Sequence, residues 1–336
     1  ANELPAGESR DGAVRVHRFP VRAPRSMRAF NRLSGQLFGR PQDFVTEAHW
    51  LAEQGPVAPG LLRALADRAD DFDAFIFFTC LYAPTAWGVP LVKGKALVVP
   101  TAHDEPPLDF GALADGFEAP RALLCNTPEE VQLIEARFPR AARRRVVGVG
   151  IEARRGDARR FRRRFSVEGP YLLYLGRMEE GKGVGELVRR HQALCGDFHD
   201  APSLVLMGGG DLRPRGARLF TTGRVDEQLK WDALAGALAV VVPSRYESLS
   251  LVTLEAFAAG APVLGNAACA VVAGQLQRSG AGETFDLGSD SAFREAVRLA
   301  GVQRATYAKR GRAYARRFTW DTVVQAYLEE LEALSA

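Results

Sequence analysis

Short, nearly continuous apolar runs alternate with longer segments of helical spacing, and this alternation predicts the architecture. In the first half the runs are Ala74 to Thr79, Ala96 to Pro100, Ala122 to Cys125 and Val146 to Val149. The second half has Tyr171 to Leu175, Leu204 to Met207, Leu238 to Val242 and the pair Val263-Leu264. Runs of this length without polar alternation read as parallel strands buried on both faces. Ahead of them, residues 13 to 19 alternate like a strand, the preceding ANELPAGESRDG reads as the middle of a loop, and residues 26 to 69 are mostly helical, broken at Pro41 and at the Gly55 to Gly60 turn. Past the Gly280 to Gly282 turn the pattern predicts two terminal helices. Strands alternating with helices in both halves predict an α/β chain of two Rossmann-like domains facing across a cleft. The expected divisions are residues 1–152, residues 153–316, and a C-terminal helix over 317–336 packing back on the first domain; 336 residues suffice for two cores.

Composition narrows the class. With 47% hydrophobic and 25% charged residues the chain is ordinary for a globular protein. It has no apolar run of membrane-spanning length and no signal-peptide pattern, so the expected location is cytoplasmic. Cys80, Cys125, Cys195 and Cys269 stand far apart and read as reduced core residues, and the histidines show no zinc-ligand spacing. No G-x-S-x-G nucleophile motif is present. The net charge of +4 and pI near 9.0 come largely from an arginine run that includes Arg137, Arg140, Arg143 to Arg145, Arg154, Arg155, Arg159, Arg160 and Arg162 to Arg164. Its plainest reading is a solvated helix face; the sharper one is peripheral contact with the anionic inner face of a membrane. Aromatics are too sparsely interleaved for nucleic acid, which is not expected as a partner.

Candidate chemistry gathers after the predicted strands. The stretch Pro243 to Val263 reads as loop, helix and strand, with Glu247 and Glu255 on either side of the helix start and backbone N–H groups of Ser248 to Leu251 nearby. Acids at the carboxyl edge of a parallel sheet, beside a helix N-terminus that favours phosphate, suit hydroxyl and anion recognition. Lysine is scarce, at 93, 95, 182, 230 and 309 only, which makes Lys182 at a strand-to-helix junction informative. With Arg177 it would make a diphosphate clamp. The same segment fits G-x-x-x-x-G-K, but Gly183 stands where a P-loop needs Ser or Thr. Gly209, within Gly208-Gly209-Gly210-Asp211, lets backbone approach a ligand closely, and Asp226 is an expected N-cap. His103 follows a strand and precedes two acids. Thr127, Pro128 and Glu130 form an expected capping box, and Asp71-x-Asp73 precedes its strand and reads as a turn.

These motifs taken together resemble the retaining GT-B glycosyltransferases of family GT4, through YLLYLGRMEEGKGV, VLMGGGD, TTGRV and VVVPSRYESLSLVTLEAFAAGAPV over residues 170 to 285, and more loosely through VVPTAHDEPP and LLCNTPEEVQLI. The resemblance implies a glycosyltransferase that uses a UDP- or GDP-sugar donor, with no cofactor and no metal. Arg177 and Lys182 would then bind the donor diphosphate and Glu255 the ribose. Glu247 would meet the donor sugar beside the amides of Leu249 and Ser250, with His103 reaching the same sugar. Gly209 and Val225 would complete the donor site, residues around Arg224 and Val225 touching the base. The acceptor would be a glycan, a lipid-linked glycan or a small molecule. In two respects the sequence departs from the family pattern. Ser248-Leu249-Ser250 replaces the usual small residues after the first Glu, and nothing before Ala13 matches the family's opening strand and glycine-rich loop. That second departure leaves open a nucleotide-sugar-binding protein without turnover; a UDP-sugar epimerase on the same fold is a further alternative.

Overall fold

The computed structural model describes residues 2–92 and 94–335. The chain divides into two compact units, Ala1–Gly148 together with Gln325–Ala336, and Val149–Val324.

In the first unit a hairpin of β1 (Gly7–Asp11) and β2 (Val14–Arg18) precedes the helices α1 (Met27–Leu37), α2 (Phe44–Gln54) and α3 (Pro59–Asp67). Then come β3 (Phe75–Phe78), α4 (Ala83–Gly88), β4 (Ala96–Val99), α5 (Ala114–Glu118), β5 (Ala122–Cys125), α6 (Pro128–Arg137) and β6 (Arg143–Val146). Strands β3 to β6 form a parallel sheet in sequential order. Ser26 and Asp43 cap α1 and α2 by accepting the N–H groups of Ala29 and Thr46. One sheet face, with Val98 and Leu123, packs on Trp50, Phe117 and Ile134; the other, with Leu97, Val99 and Leu124, is covered by Tyr327, Leu331 and Leu334.

The second unit contains α7 (Ala158–Phe165), β7 (Tyr171–Leu175), α8 (Val184–Asp197), β8 (Ser203–Met207), β9 (Leu219–Gly223), α9 (Glu227–Gly236) and β10 (Ala239–Val242). It continues with α10 (Leu251–Ala259), β11 (Val263–Asn266), α11 (Ala270–Ser279), β12 (Gly282–Phe285), α12 (Asp290–Val302) and α13 (Arg304–Ala315). The last helix, α14 (Trp320–Ser335), begins in this unit and ends in the first. Its parallel sheet runs β12-β11-β10-β7-β8-β9, buried on both faces. The order reverses between β7 and β10. In open α/β sheets that switch point leaves a crevice outside the carboxyl ends of the two strands.

Three expectations are corrected. The segment read as a loop before Ala13 pairs as β1, with Asp11 opposite Val14; all five β1 residues are exposed, so no hydrophobic period announced it. The fourth strand of the first sheet is Arg143–Val146 rather than Val146 to Val149, because an edge strand can carry arginines: Arg143 and Arg145 both reach Glu330 of α14. Beyond Gly280 there are a further strand and three helices, α12 to α14, instead of two helices. Gly311 lets α13 lie close on α10, since a Cβ there would meet Phe257 at 3.2 Å.

Most of the arginine run is engaged locally. Arg137 pairs with Asp104, Arg140 with Glu118, Arg144 with Glu135, and Arg160 with the fully buried Asp232. Among the described residues no helix is long and apolar enough to cross a membrane.

Candidate functional site

The switch point of the second unit brings two loops together. The β7–α8 loop carries Arg177 and Lys182, and the β10–α10 loop carries Glu247, Leu249 and Ser250. Lys182 Nζ donates to Glu247 Oε1 at 2.9 Å, with both side chains about three-quarters buried or more. Arg177 is more exposed and pairs with Glu179 at 3.1 Å.

Local backbone explains how these groups are held. Gly183 takes a φ of 72° and a Cβ there would meet the Pro243 carbonyl oxygen at 2.8 Å, so glycine lets the two loops approach. Ser250 also lies in the left-handed region, with φ 58°, its hydroxyl bonded to Thr253 Oγ1 at 2.8 Å. The Leu249 carbonyl accepts from Gln275 Nε2 at 2.6 Å. The N–H groups of Leu249 and Ser250 find no acceptor among the described residues, so donors stand ready at the start of α10.

Glu255 lies one turn into α10, where Lys230 of α9 donates to it at 2.7 Å and also pairs with Glu227. Lys230 escaped sequence reasoning as a site residue; the available signals were the scarcity of lysine and its place in the first turns of the helix after Gly223-Arg224-Val225. Burial lowers its pKa, but hydrogen bonds to Glu255 and Glu227 outweigh this and raise it overall.

Gly209 sits beside a cavity of about 470 Å³ at the exits of β7, β8 and β9, lined also by Met178, Gly208, Gly210, Thr221 and Gly223. The walls are zipped by backbone bonds, Gly176 N to Met207 O at 3.0 Å and Met178 N to Gly209 O at 2.8 Å. Arg224 lies over Gly209, where a Cβ would meet its Nε at 3.0 Å. Val225 packs half-buried against the core rather than lining this cavity.

His103 belongs to the first unit, in the loop after β4. Its Nδ1 lies 2.7 Å from Glu105 Oε1; an ionised carboxylate can only accept, which makes Nδ1 the donor of this bond. The neighbouring Thr101 takes φ 50°, and Ala102 N–H donates to Glu130 Oε1 at 2.6 Å. The capping box expected at Thr127 is present in its first half, Thr127 Oγ1 accepting from Glu130 N. The Glu130 carboxylate instead ties two strand exits, accepting from Ala102 N and from Asn126 N at 2.5 Å. Burial pushes its pKa up to about 7, opposed by these two bonds and by His103. All four cysteines are free, and no cluster of metal-ligating side chains occurs among the described residues.

Two parallel-sheet α/β units, the second with a charged crevice at its switch point, make this a chain of the GT-B class. Residues 169–299 match the family model for glycosyl transferases group 1, and the chain carries a GT4-type domain of that family. A D-inositol 3-phosphate glycosyltransferase from Acidothermus cellulolyticus is 30% identical over 73% of this chain and 62% of that relative, so the chain spans less than two thirds of its length. Sucrose-phosphate synthase from Thermosynechococcus elongatus has a similar fold, with TM-score 0.72 and 18% identity over 99% of this chain and 87% of that one. The Anabaena protein Alr3699/HepE, solved in complex with UDP, has TM-score 0.66 and 16% identity over 82% of each chain.

Proposed function

We propose that the chain is a retaining glycosyltransferase that moves a hexose-type sugar from a nucleotide-diphosphate sugar to an acceptor hydroxyl. The observation that carries this reading is the convergence of Lys182, Glu247 and the unpaired amides of Leu249 and Ser250 at the switch point. Arg177 and Lys182 would neutralise the departing diphosphate, aided by the start of α10, which makes a metal unnecessary. Glu255 would accept from the ribose hydroxyls, and the cavity beside Gly209 would take the base, with Val225 behind it. UDP is the first nucleotide to try, given that Alr3699/HepE was solved with UDP; GDP is the second.

In the reaction the bond from the sugar C1 to the diphosphate oxygen breaks and one from C1 to the acceptor oxygen forms. The acceptor attacks from the leaving-group face, and its proton passes to a diphosphate oxygen. Glu247 would hold the donor sugar. The test is transfer from UDP- and GDP-hexoses to an acceptor panel, with the product's anomeric configuration read by NMR. Retention supports the reading. Inversion, or interconversion of free sugar nucleotides without an acceptor, contradicts it.

A further inference from the structure

Gln275, on α11, is 1% exposed, and its side chain makes a single hydrogen bond among the described residues. Its amide nitrogen donates to the Leu249 carbonyl at 2.6 Å, while its Oε1 is buried without a partner. A carbonyl can only accept, so the nitrogen must face Leu249 and the oxygen is the atom left over. An apolar side chain of the same length would fill this place without that loss, since a buried polar atom with no partner costs stability. What the amide adds is its grip on one carbonyl.

That carbonyl fixes the direction of a group at the switch point. The peptide between Leu249 and Ser250 is trans, and in a trans peptide the C=O of one residue and the N–H of the next point opposite ways. With the Leu249 carbonyl drawn towards α11, the Ser250 N–H is turned away from it, and it finds no acceptor among the described residues. The rest of the turn is held from the same side. The Leu249 side chain is buried in the core cluster that includes Val272 and Leu276 of α11, and the Ser250 hydroxyl bonds to the fully buried Thr253. Ser250 sits at φ 58° and ψ 71°, a left-handed conformation that serine rarely adopts unless its surroundings impose it.

The other end of this loop is gripped by the same βα unit. Asn266, the last residue of β11, donates from Nδ2 to the Pro243 carbonyl at 3.0 Å, and its Oδ1 accepts from Ala268 N, also at 3.0 Å. Asn266 is thus paired on both sides of its amide, as a purely structural anchor should be. Gln275 is paired on one side only, and a buried amide kept at that cost calls for a role beyond stability. Glu247 stands in the loop between the two anchored carbonyls.

We propose that Gln275 is a positioning residue: by holding the Leu249 carbonyl it aims the Ser250 N–H at the donor diphosphate before that anion arrives. The word donor rests on the glycosyltransferase reading, whereas the aiming of an anion-binding amide does not. The test compares wild type, Q275M and K182A by NMR titration with UDP, GDP, uridine, guanosine and inorganic pyrophosphate. Methionine keeps the length and removes both the bond and the unpaired oxygen, so Tm should hold. Q275M should bind the nucleoside diphosphate that wild type binds about tenfold more weakly, the worth of a hydrogen bond to a charged group, with affinity for the nucleoside unchanged. Mere loosening of the core would weaken both ligands alike, and that result overturns the proposal. Equal diphosphate affinity in Q275M, with K182A weakened, also overturns it while leaving the donor reading intact. In wild type the Ser250 amide should exchange its hydrogen about tenfold more slowly once the diphosphate is bound; no slowing overturns the proposal whether or not Q275M folds. Binding of pyrophosphate that depends on Gln275, in a chain that binds no nucleotide, upholds the positioning role and removes the glycosyltransferase reading. Failure of wild type to bind any of these anions overturns both.

Discussion

Lys182 and Glu247 are joined at 2.9 Å across the exits of two adjacent strands. The lysine that would meet the donor diphosphate is therefore already half-satisfied by the acid that would meet the donor sugar. Releasing it should separate the two roles. In E247Q the lysine loses its charged partner and keeps at most a neutral acceptor, and UDP alone should bind more tightly, by about 0.5–1 kcal/mol, the size of a partly exposed pair. Transfer from the nucleotide sugar should fall at least tenfold in the same variant. Calorimetry with UDP alongside a transfer assay checks both; parallel changes in the two would show that Glu247 has no separate role at the sugar.

Lys230 and Glu255 offer a similar pairing, on α9 and α10. Losing the cation frees the Glu255 carboxylate to change its rotamer, and K230M should weaken nucleotide-sugar binding by about 1–2 kcal/mol, within the range for a charged hydrogen bond. K230R, which keeps charge and reach, should restore most of it. An identical loss in both variants would mean that packing matters here and not the ion pair.

Glu130 predicts a pH effect on stability. Its pKa is near 7 in the fold against 4.5 in the unfolded chain, so the folded state holds this proton more tightly. Its contribution to stability must then fall as pH rises from about 4.5 to about 7, by up to about 3 kcal/mol, and level off above. E130Q cannot titrate and should lack this decline, while being less stable at pH 5 because one backbone N–H loses its acceptor. Urea denaturation of both proteins at pH 5 and pH 7.5 measures the difference. Equal pH dependence in the two would refute the buried-carboxyl account.

Gly208, with φ +145°, lies against Gly176, whose carbonyl oxygen occupies the space a Cβ would need. Substitution by alanine should cost at least about 3 kcal/mol by forcing the β7 and β8 exits apart. Thermal unfolding of G208A should show a clear drop in Tm, whereas G181A, whose Cβ meets nothing within 4 Å, should leave it nearly unchanged.

Much of the second unit was legible because its strands are apolar throughout and its helix ends carry recognisable signals, such as Asp226 accepting from Leu229 N and Gly260 closing α10. The first unit was harder to read. Strand β6 consists mostly of arginines, and what makes it a strand is its pairing with β5 and its contacts with Glu329 and Glu330, far away in sequence. Strand β1 is exposed throughout and leaves no hydrophobic trace, whereas its partner β2 showed in the alternation of residues 13 to 19. At the site, the loops could be read from glycine and charge, but pairings could not. That Lys182 meets Glu247, and Lys230 meets Glu255, follows from which strands and helices become neighbours, and spacing along one chain does not encode it.

The central claim is that the switch point of the second unit binds a nucleotide-diphosphate sugar through Lys182 and Glu255. Its most direct test is calorimetric titration of UDP- and GDP-sugars into wild type, K182A and E255A. The expected result is one-site binding of at least one sugar nucleotide, weakened by about 1.5–3 kcal/mol in each variant, the worth of a hydrogen bond to a charged group. Saturable binding with unchanged affinity in both variants, or no binding of any sugar nucleotide to the wild-type chain, would contradict it.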